Sequence, residues 1–240
     1  MSSRIEREKL HDSKIKENAE DVWGWTTPGG KLRAQRRADY FLTLTQMNAS
    51  SKVLEIGCGT GLFTEKVSTS GAQIIATDLS EDLLAVARKK NIPNCVFEEA
   101  DAHQLKYADA SFDIVFGSSI LHHLDMMVSL KEVYRVLKPG GKMVFAEPNM
   151  LNPQILVQKN VPFIKRWLGD SPDETAIVRW KLSKQLAQLG FKNSKIFPYD
   201  FLHPYTPQAL IGFVKGFGGA IEKTPLLKEI AGSVIIYAEK

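Results

Sequence analysis

The sequence predicts an α/β protein with a mostly parallel sheet, and three observations indicate this class. Between residues 51 and 147, short β-branched runs of strand length alternate with amphipathic segments of helix length. The stretch VLEIGCGTGLF at 53–63 carries three glycines on alternate positions directly after the first of these runs. The stretch LKPGG at 137–141 has the proline and glycine that follow a helix. Such alternation produces parallel strands with helices on both faces of the sheet.

Seven strands are expected in order, with helices between them. A charged, partly helical arm at 1–21 and a loop WGWTTPGG at 23–30 precede a helix at 31–47. The predicted strands are 52–57, 73–78, 95–98, 112–117, 142–147, 192–197 and 233–239. The other predicted helices are 61–69, 80–90, 125–137, one capped by Asp170 or Ser171 that runs to Leu189, and one near 207–217.

Composition and charge fit one globular domain and exclude several classes of function. The chain has 240 residues, 44% of them hydrophobic, and a formal net charge of +4. Its basic residues are not gathered into one run, so a nucleic-acid partner is not expected. Cys58 and Cys95 stand far apart without a CxxC pair, so neither a disulfide framework nor a metal site is expected. We expect no membrane span and, without the apolar core of a secretory signal, a cytoplasmic location.

The glycine loop indicates a ligand that touches bare backbone. A strand that passes through Gly57, Gly59 and Gly61 into a helix leaves free N–H groups and no Cβ atoms beside the ligand. The spacing departs from the dinucleotide fingerprint G-x-G-x-x-G, because the third glycine comes one residue early. The loop also lacks the lysine of a phosphate-binding P-loop.

Acidic side chains follow three successive strands. Glu55 lies at the end of the first, Asp78 ends the second, 21 residues after Gly57, and Asp101 follows the third. Ligands of open α/β sheets bind at the edge where the carboxyl ends of the strands meet. There Asp78 can accept both hydroxyls of a ribose, and Asp101 can reach an adenine amino group. Each acid alone could be a capping or turn residue, but three beside one glycine loop favour a nucleoside ligand.

With these features, five stretches resemble the motifs of class I S-adenosyl-L-methionine (SAM)-dependent methyltransferases: VLEIGCGTG, IIATDLS, EADAHQL, FDIVFGSSILHHL and RVLKPGG. The resemblance covers roughly residues 50–147, with weaker agreement on both sides. It implies a Rossmann-like fold whose last strand, 233–239, is antiparallel.

The resemblance also implies a SAM site. The loop 57–61 would wrap the methionine part of SAM, with Glu55 orienting the loop and the amino group. The expected cofactor-binding residues are Glu55, Gly57, Cys58, Gly59, Gly61, Asp78 and Leu79 at the ribose, Asp101 and Ala102 at the adenine, Ser118, and Arg37. SAM carries a sulfonium and an ammonium but no phosphate, which suits a loop preceded by a glutamate and free of basic residues.

Candidates for catalysis follow the fourth and fifth strands. His122 and His123 come after strand 112–117, and a histidine is the natural base near neutral pH because its ordinary pKa is about 6.5. Adjacent helical residues point about 100° apart, so at most one should face the site, and a structural role for both stays open. Glu147 ends the fifth strand, where it can bind an acceptor hydroxyl, act as a second base or serve as a turn carboxylate.

The first long helix carries two arginines on its inward stripe. Phe41, Leu44 and Met47 define an apolar face, and Arg37 and Arg33 extend it backwards in steps of four residues. Arginines on such a stripe need a partner. The candidates are the carboxylate of SAM, an acceptor anion, or an Asp or Glu elsewhere in the chain.

We expect one methyltransferase domain, 1–240, with four parts. These are an N-terminal helical arm and lid (1–50), a SAM-binding core (51–147), an inserted acceptor-recognition and lid region (148–225) and a closing strand (226–240). Trp23 and Trp25 can cover the site, with Gly29 and Gly30 as hinge. The stretch FPYDFLHPY at 197–205 suits an apolar pocket with a few polar anchors, and capping of the sheet is the alternative role for its aromatic residues.

The predicted function is SAM-dependent methyl transfer to a small-molecule, lipid-linked or sugar-like acceptor, with O-methylation first and C- and N-methylation open. A hydroxyl acceptor calls for a base that removes its proton. Motifs of amino-directed nucleic-acid methylation and of pyrimidine C5 methylation are missing from the sequence. A methyltransferase of RNA or protein and a SAM-binding protein without turnover are the alternatives, and the oligomeric state is left open.

Overall fold

Seven strands form one sheet in the computed structural model, which describes residues 13–167 and 175–240. Strands β1 to β7 are Lys52–Ile56, Gln73–Asp78, Cys95–Glu99, Phe112–Ser118, Leu137–Pro148, Lys192–Tyr199 and Ser233–Glu239. Their spatial order is β3-β2-β1-β4-β5-β7-β6. β7 is antiparallel to both of its neighbours, and all other neighbouring strands are parallel. The predicted fold class is therefore confirmed.

Helices cover both faces of this sheet. Helices α1 to α9 are Ala19–Val22, Pro28–Thr45, Leu62–Val67, Glu81–Arg88, Met126–Val136, Pro153–Asn160, Pro162–Trp167, Arg179–Gln188 and Ile211–Ile221. One apolar core lies beneath α5 and α8 and includes Phe112 and Phe145. The other lies beneath α2, α3 and α4 and includes Phe41 and Phe116. Since the central strands are buried on both faces, they read as continuous apolar runs in the sequence.

The topology brings several chain segments to one edge of the sheet. The carboxyl ends of β1, β2, β4, β5 and β6 meet there, and β7, running the other way, begins there. The glycine loop after β1 and the segments after β4, β5 and β6 therefore depart from the same edge. This is the edge where ligands of such sheets bind.

The loop predicted at 23–30 is shorter than expected because α2 already begins at Pro28. The hydroxyl of Thr27 caps the helix by accepting the Gly30 N–H at 2.9 Å, and proline suits the first turn because it has no N–H to satisfy. A Cβ on Gly30 would lie 1.8 Å from the Gly24 carbonyl oxygen, so close backbone packing requires this glycine. The prediction that Gly29 and Gly30 form a hinge is wrong, since both lie inside a packed helix.

The helix predicted to end at Leu189 is also shorter than expected. Ile177 forms a β-bridge with Asn149 instead of joining the helix, and α8 begins only at Arg179. The predicted caps Asp170 and Ser171 lie outside the described residues, as does the beginning of the N-terminal arm. None of the helices in 13–167 and 175–240 combines the length and the apolar character that a bilayer crossing requires.

Candidate cofactor and active site

The glycine loop after β1 adopts backbone conformations that other residues disfavour. Gly57, Gly59 and Gly61 have φ angles of 69°, 53° and 78°. A Cβ on Gly57 would also lie 2.5 Å from the Ile120 side chain, so glycine is required there for space as well as conformation. The loop therefore presents backbone, and no side chain at these positions, to a ligand at the sheet edge.

Asp78, at the end of β2, braces this loop. Its Oδ2 accepts a hydrogen bond from the Gly59 N–H at 2.8 Å, and its Oδ1 accepts one from the Ser80 N–H at 2.9 Å. Desolvation raises the pKa of the Asp78 carboxyl, while these amides act in the opposite direction. A carboxylate has about four lone-pair sites, so Asp78 keeps acceptor capacity for a ligand hydroxyl on each oxygen.

Glu55 is buried beneath the loop, and one side chain of the described residues donates a hydrogen bond to it. Its Oε2 accepts from the Thr64 hydroxyl at 2.5 Å. Burial raises the pKa of Glu55 to about 8, and the charge of Asp78 acts in the same direction. The carboxyl group is thus mostly protonated at neutral pH, and an ammonium group placed beside it would favour its ionised form.

We expect Glu55→Gln to flatten the dependence of stability on pH. The folded pKa of about 8 lies above the ordinary value, so protonated Glu55 stabilises the fold at low pH, and this contribution is lost as pH rises through the folded pKa. The melting temperature of the wild-type protein should therefore fall more steeply than that of the variant between about pH 5 and pH 9. Glu65→Gln, at an exposed side chain, is the control. Equal slopes for the wild type and Glu55→Gln would contradict the expectation.

Asp101 is held by His103, a residue that the sequence reasoning missed. Asp101 Oδ1 accepts from the His103 backbone N–H at 2.8 Å and from its ring Nδ1 at 2.7 Å. His103 Nε2 in turn accepts the Asp125 N–H at 2.9 Å, so the ring proton must sit on Nδ1. Asp101 Oδ2 is left to accept from a ligand. The sequence signal that could have revealed this contact is the position of His103 two residues after Asp101, close enough for a hydrogen bond within a local turn.

Three residues expected near the cofactor are placed differently from the acids. The Cys58 side chain packs in the core beneath α2 to α4, and burial raises the pKa of its thiol, so it is a packing residue. Its N–H donates to the Thr77 carbonyl at 2.9 Å and ties the loop to β2. Ala102 belongs to the core on the opposite face, and Leu79 is half-buried beside Asp78.

Arg37 reaches from α2 to the ends of β4 and β6. Its buried guanidinium donates to the hydroxyls of Ser118 at 2.7 Å, Ser119 at 2.9 Å and Tyr199 at 3.1 Å. In residues 13–167 and 175–240 no carboxylate lies within ion-pair distance of it. The hydroxyls satisfy its N–H groups but supply no opposite charge, so an anionic ligand group would complete this site.

Arg33, one turn earlier on the same stripe, has a protein partner instead. It forms an ion pair with the buried Asp200 at 2.7 Å, and Arg36 beside it pairs with Glu222. These ion pairs border a cavity of about 320 Å³ between α2 and the segment after β6, which Phe201 also lines. The two arginines of the stripe therefore differ: Arg33 forms an ion pair with an aspartate of the chain, and Arg37 does not.

Glu147 and His122 form a buried pair at the ends of β5 and β4. Glu147 is fully buried, and its Oε1 accepts the N–H groups of Ile120 and Leu121, both at 2.9 Å. Its Oε2 accepts from His122 Nδ1 at 2.7 Å. A carboxylate can only accept, so the His122 proton sits on Nδ1 and Nε2 keeps its lone pair.

The electrostatics of the pair agree with this assignment. Burial alone would raise the pKa of Glu147, but the hydrogen bonds from His122 and the two backbone amides hold it below its ordinary value. Burial and the neighbouring His123 lower the pKa of His122. At neutral pH the pair is therefore a carboxylate and a neutral imidazole. The His123 ring lies 4.1 Å from that of His122, and its positive charge would lower the pKa of Asp78.

Two indole rings from the segment before α2 lie against the site. A Cβ on Gly59 would lie 3.2 Å from the Trp23 ring, so this ring sits over the glycine loop. The Trp25 ring packs edge-on against Phe63 at 5.4 Å and lies 5.1 Å from the Arg37 guanidinium. Both tryptophans thus occupy positions that cover the site, although the glycines behind them do not form a hinge.

The aromatic residues expected to line one pocket fall into two groups. Tyr199 is buried against Arg37, and Phe201 lines the cavity. Tyr205, in the same stretch, is exposed, so the expectation of a single aromatic pocket is wrong for it. In the described part of the chain, no three His, Cys, Asp or Glu side chains are arranged to hold a metal ion.

The chain is similar to known proteins over most of this site. A methyltransferase domain family matches residues 54–145. Demethylmenaquinone methyltransferase of Chlorobaculum parvum is 33% identical over 169 residues, which span 62% of this chain and 69% of that protein. Malonyl-[acyl-carrier protein] O-methyltransferase of Erwinia billingiae is 34% identical over 96 residues, 40% of this chain and 38% of that protein. The structure of Haemonchus contortus phosphoethanolamine N-methyltransferase 2 in complex with SAM shares the fold, with a TM-score of 0.67 at 19% identity, covering 95% of this chain and 57% of that one.

Proposed function

Because this chain belongs to the SAM-dependent methyltransferases, we propose that it methylates a hydroxyl group of a small-molecule or lipid-linked acceptor. The observation that carries the proposal is the buried pair of Glu147 and His122, whose geometry prepares an imidazole to accept a proton. The two sequence relatives are named for demethylmenaquinone and for malonyl-[acyl-carrier protein], neither of which is a nucleic acid. A sugar-like acceptor and methylation at carbon or nitrogen are secondary candidates.

In the proposed mechanism, SAM, when bound, would supply an electrophilic methyl group, and the protein would position the acceptor oxygen to receive it. His122 Nε2 takes the proton of the acceptor hydroxyl. Glu147 holds the imidazole in the required tautomer and stabilises the imidazolium that forms. Arg37 would hold the carboxylate of the methionine part of SAM, and Glu55 would hold its ammonium group.

Further positioning falls to the acids and to the loop. Asp78 would accept from the ribose hydroxyls and Asp101 from the adenine amino group, while the glycine backbone and Ser118 would line the methionine part. We propose that the acceptor enters from the cavity between α2 and the segment after β6. The tryptophans before α2 would exclude water from the reacting atoms.

Formation of S-adenosylhomocysteine tests this function. Purified protein and SAM are incubated with a demethylated naphthoquinol, with a simple phenol, and with the O-methyl ether of each as a matched control. We expect S-adenosylhomocysteine with a free hydroxyl compound and none with its ether. Product on a ring carbon, located by NMR, would replace O-methylation by C-methylation. SAM binding without product from any acceptor would leave a SAM-binding protein without turnover.

The pH profile of turnover should have an acid limb, in which turnover rises with pH and the apparent pKa lies below the ordinary histidine value of about 6.5. Burial and His123 lower the pKa of His122, while Glu147 raises it and Lys159 lowers it further, so the neutral base prevails down to mildly acidic pH. His122→Asn keeps a donor toward Glu147 but removes Nε2, so it should abolish this limb and lower kcat by about 10²–10⁴-fold. The SAM affinity should be unchanged. His123→Asn is the matched control. Equal kcat values for the two variants would contradict the assignment of His122 as the base.

A further inference from the structure

Asp101 lies on the turn that follows β3, beside the end of β2. The Ala100 N–H donates to the Asp78 carbonyl at 3.1 Å and continues the pairing of the two strands beyond their ends. Asp78 and Asp101, the two acids proposed to bind the nucleoside part of SAM, therefore follow neighbouring strands. The Asp101 side chain is 35% exposed, so packing alone does not fix its rotamer, and another group must hold its carboxylate.

The two acids are held in different ways. Asp78 accepts one backbone N–H on each of its oxygens. Asp101 accepts two hydrogen bonds on Oδ1 alone, from the backbone N–H of His103 at 2.8 Å and from its ring Nδ1 at 2.7 Å. Because two donors converge on one oxygen, rotation of the carboxylate would break both contacts. His103 thus determines which oxygen of Asp101 stays available to a ligand.

The ring of His103 is itself anchored. It is 13% exposed, and its Nε2 accepts the Asp125 N–H at 2.9 Å. Asp125 caps α5, where its side chain accepts the Val128 N–H at 3.3 Å and its carbonyl accepts the Ser129 N–H at 3.0 Å. A backbone N–H fixed by a helix therefore holds one ring nitrogen, and the other ring nitrogen presents its proton to Asp101.

The turn after β3 is joined to α5 without His103. The Leu105 N–H donates to Glu132 at 2.9 Å, and the Leu105 carbonyl accepts from Arg135 at 2.9 Å. The Leu105 side chain is buried in the core beneath α5. A purely structural role for His103 would thus duplicate existing contacts. Within 13–167 and 175–240, in contrast, no other side chain donates a hydrogen bond to Asp101.

We propose that His103 is a positioning residue that sets the selectivity of the cofactor site for adenine. Its Nδ1–H holds Asp101 Oδ1, so that Oδ2 accepts from the 6-amino group of the base. A base without this group leaves Oδ2 without a donor, and a site built for the hydrogen bond rejects it. The proposal rests on the contact between Asp101 and adenine in the proposed function, but on neither the acceptor nor the catalytic base.

The binding of two nucleosides tests this role. S-adenosylhomocysteine is compared with its analogue that has purine in place of adenine and therefore lacks the 6-amino group. Calorimetry gives both dissociation constants without an acceptor, and their ratio is the adenine preference. We expect a preference of about ten- to a hundredfold in the wild type, the value of one hydrogen bond to a charged group. Asp101→Ala should remove it.

Two substitutions separate the roles of the ring nitrogens of His103. His103→Asn keeps an N–H donor near the position of Nδ1, whereas His103→Gln reaches the position of Nε2 and loses the donor toward Asp101. Holding a side chain in its bound rotamer is worth about two- to tenfold in affinity, so His103→Gln should lower the adenine preference by about this factor. His103→Asn should keep the preference. In the Asp101→Ala protein, His103→Gln should change it no further.

Further variants control for effects on the fold. Gln104→Ala removes an exposed side chain from the same turn and should leave the adenine preference at the wild-type value. His103→Ala removes the same donor as His103→Gln and repeats the test in a second protein. Melting temperatures of all variants show that the proteins compared are folded.

Equal affinities of the wild type for the two compounds would refute the contact between Asp101 and adenine, and the proposal with it. Equal weakening of both compounds in His103→Gln and His103→Ala, with an unchanged preference, would assign His103 a structural role only. The same loss of preference in His103→Asn as in His103→Gln would exclude the Nδ1–H as the cause and also overturn the proposal. Methylation is measured separately, so failure to form S-adenosylhomocysteine would refute the proposed function without altering these binding results.

Discussion

Asp78→Ala should weaken SAM binding by about two to four orders of magnitude. Each hydrogen bond from a ribose hydroxyl to the charged carboxylate is worth about 1.5–3 kcal/mol, and two such bonds are expected. The same change removes the acceptor of the Gly59 N–H at 2.8 Å, so the glycine loop also loses its brace. Isothermal titration calorimetry with SAM measures the affinity directly.

Two further variants sharpen this experiment. Gly59→Val should abolish binding by another route, because φ at this position is 53° and a side chain there meets the Trp23 ring. Asp82→Ala removes a nearby acid that lies on the surface and pairs with Lys16, so its SAM affinity should match the wild type. Wild-type affinity in Asp78→Ala and Gly59→Val alike would refute the proposed cofactor site.

Glu147→Gln should lower kcat by about 10²–10⁴-fold with little change in SAM affinity. The amide oxygen of glutamine can still accept the Ile120 and Leu121 N–H groups. Its NH₂ group, however, would face His122 Nδ1, which must then act as the acceptor. The ring proton moves to Nε2, and the imidazole can no longer take a proton from the acceptor.

Glu147→Leu separates catalysis from stability at this position. Leucine leaves two backbone N–H groups and the imidazole without an acceptor, at a cost of about 1–3 kcal/mol for each buried group. We expect a clear fall of the melting temperature in this variant and a small one in Glu147→Gln. If Glu147→Gln folds and keeps its kcat, then Glu147 is a structural carboxylate and the imidazole is not the base.

Much of the sheet could be predicted because each strand has a local signature. The boundaries of β2 and β7 agree with the prediction, since both are short β-branched runs between polar or glycine-rich stretches. β5 begins five residues earlier than predicted, because Leu137 already pairs with Phe112. The stretch LKPGG at 137–141 follows the end of helix α5 and also begins β5. Its proline and glycines predict the end of a helix but do not reveal that a strand begins there.

Contacts between distant residues could not be predicted in the same way. Helical spacing places Arg33 and Arg37 on one stripe. It does not reveal that Arg33 alone pairs with Asp200, which lies 167 residues after Arg33 at a turn with a φ angle of 74°. The pairing of His122 with Glu147 likewise depends on the register of β4 against β5. Strand order alone places both residues at one edge and leaves the hydrogen bond undetermined.

Residues 200–232, the cap, leave the sheet after β6 and return to it at β7, and the Gly232 N–H donates to the Asp200 carbonyl at 2.8 Å at their base. This closed base has a consequence for how such a protein can diverge. Because Tyr199 and Ser233 are paired neighbours, the chain between them can change length or sequence without moving the sheet. Lengthening such a loop is inexpensive, about 0.6 kcal/mol for each doubling. The cap is therefore an exchangeable module on a constant scaffold, and its replacement could redirect the enzyme to another acceptor or another surface. Arg33, Arg36 and Arg179 are the positions that must change with it, because their carboxylate partners belong to the module.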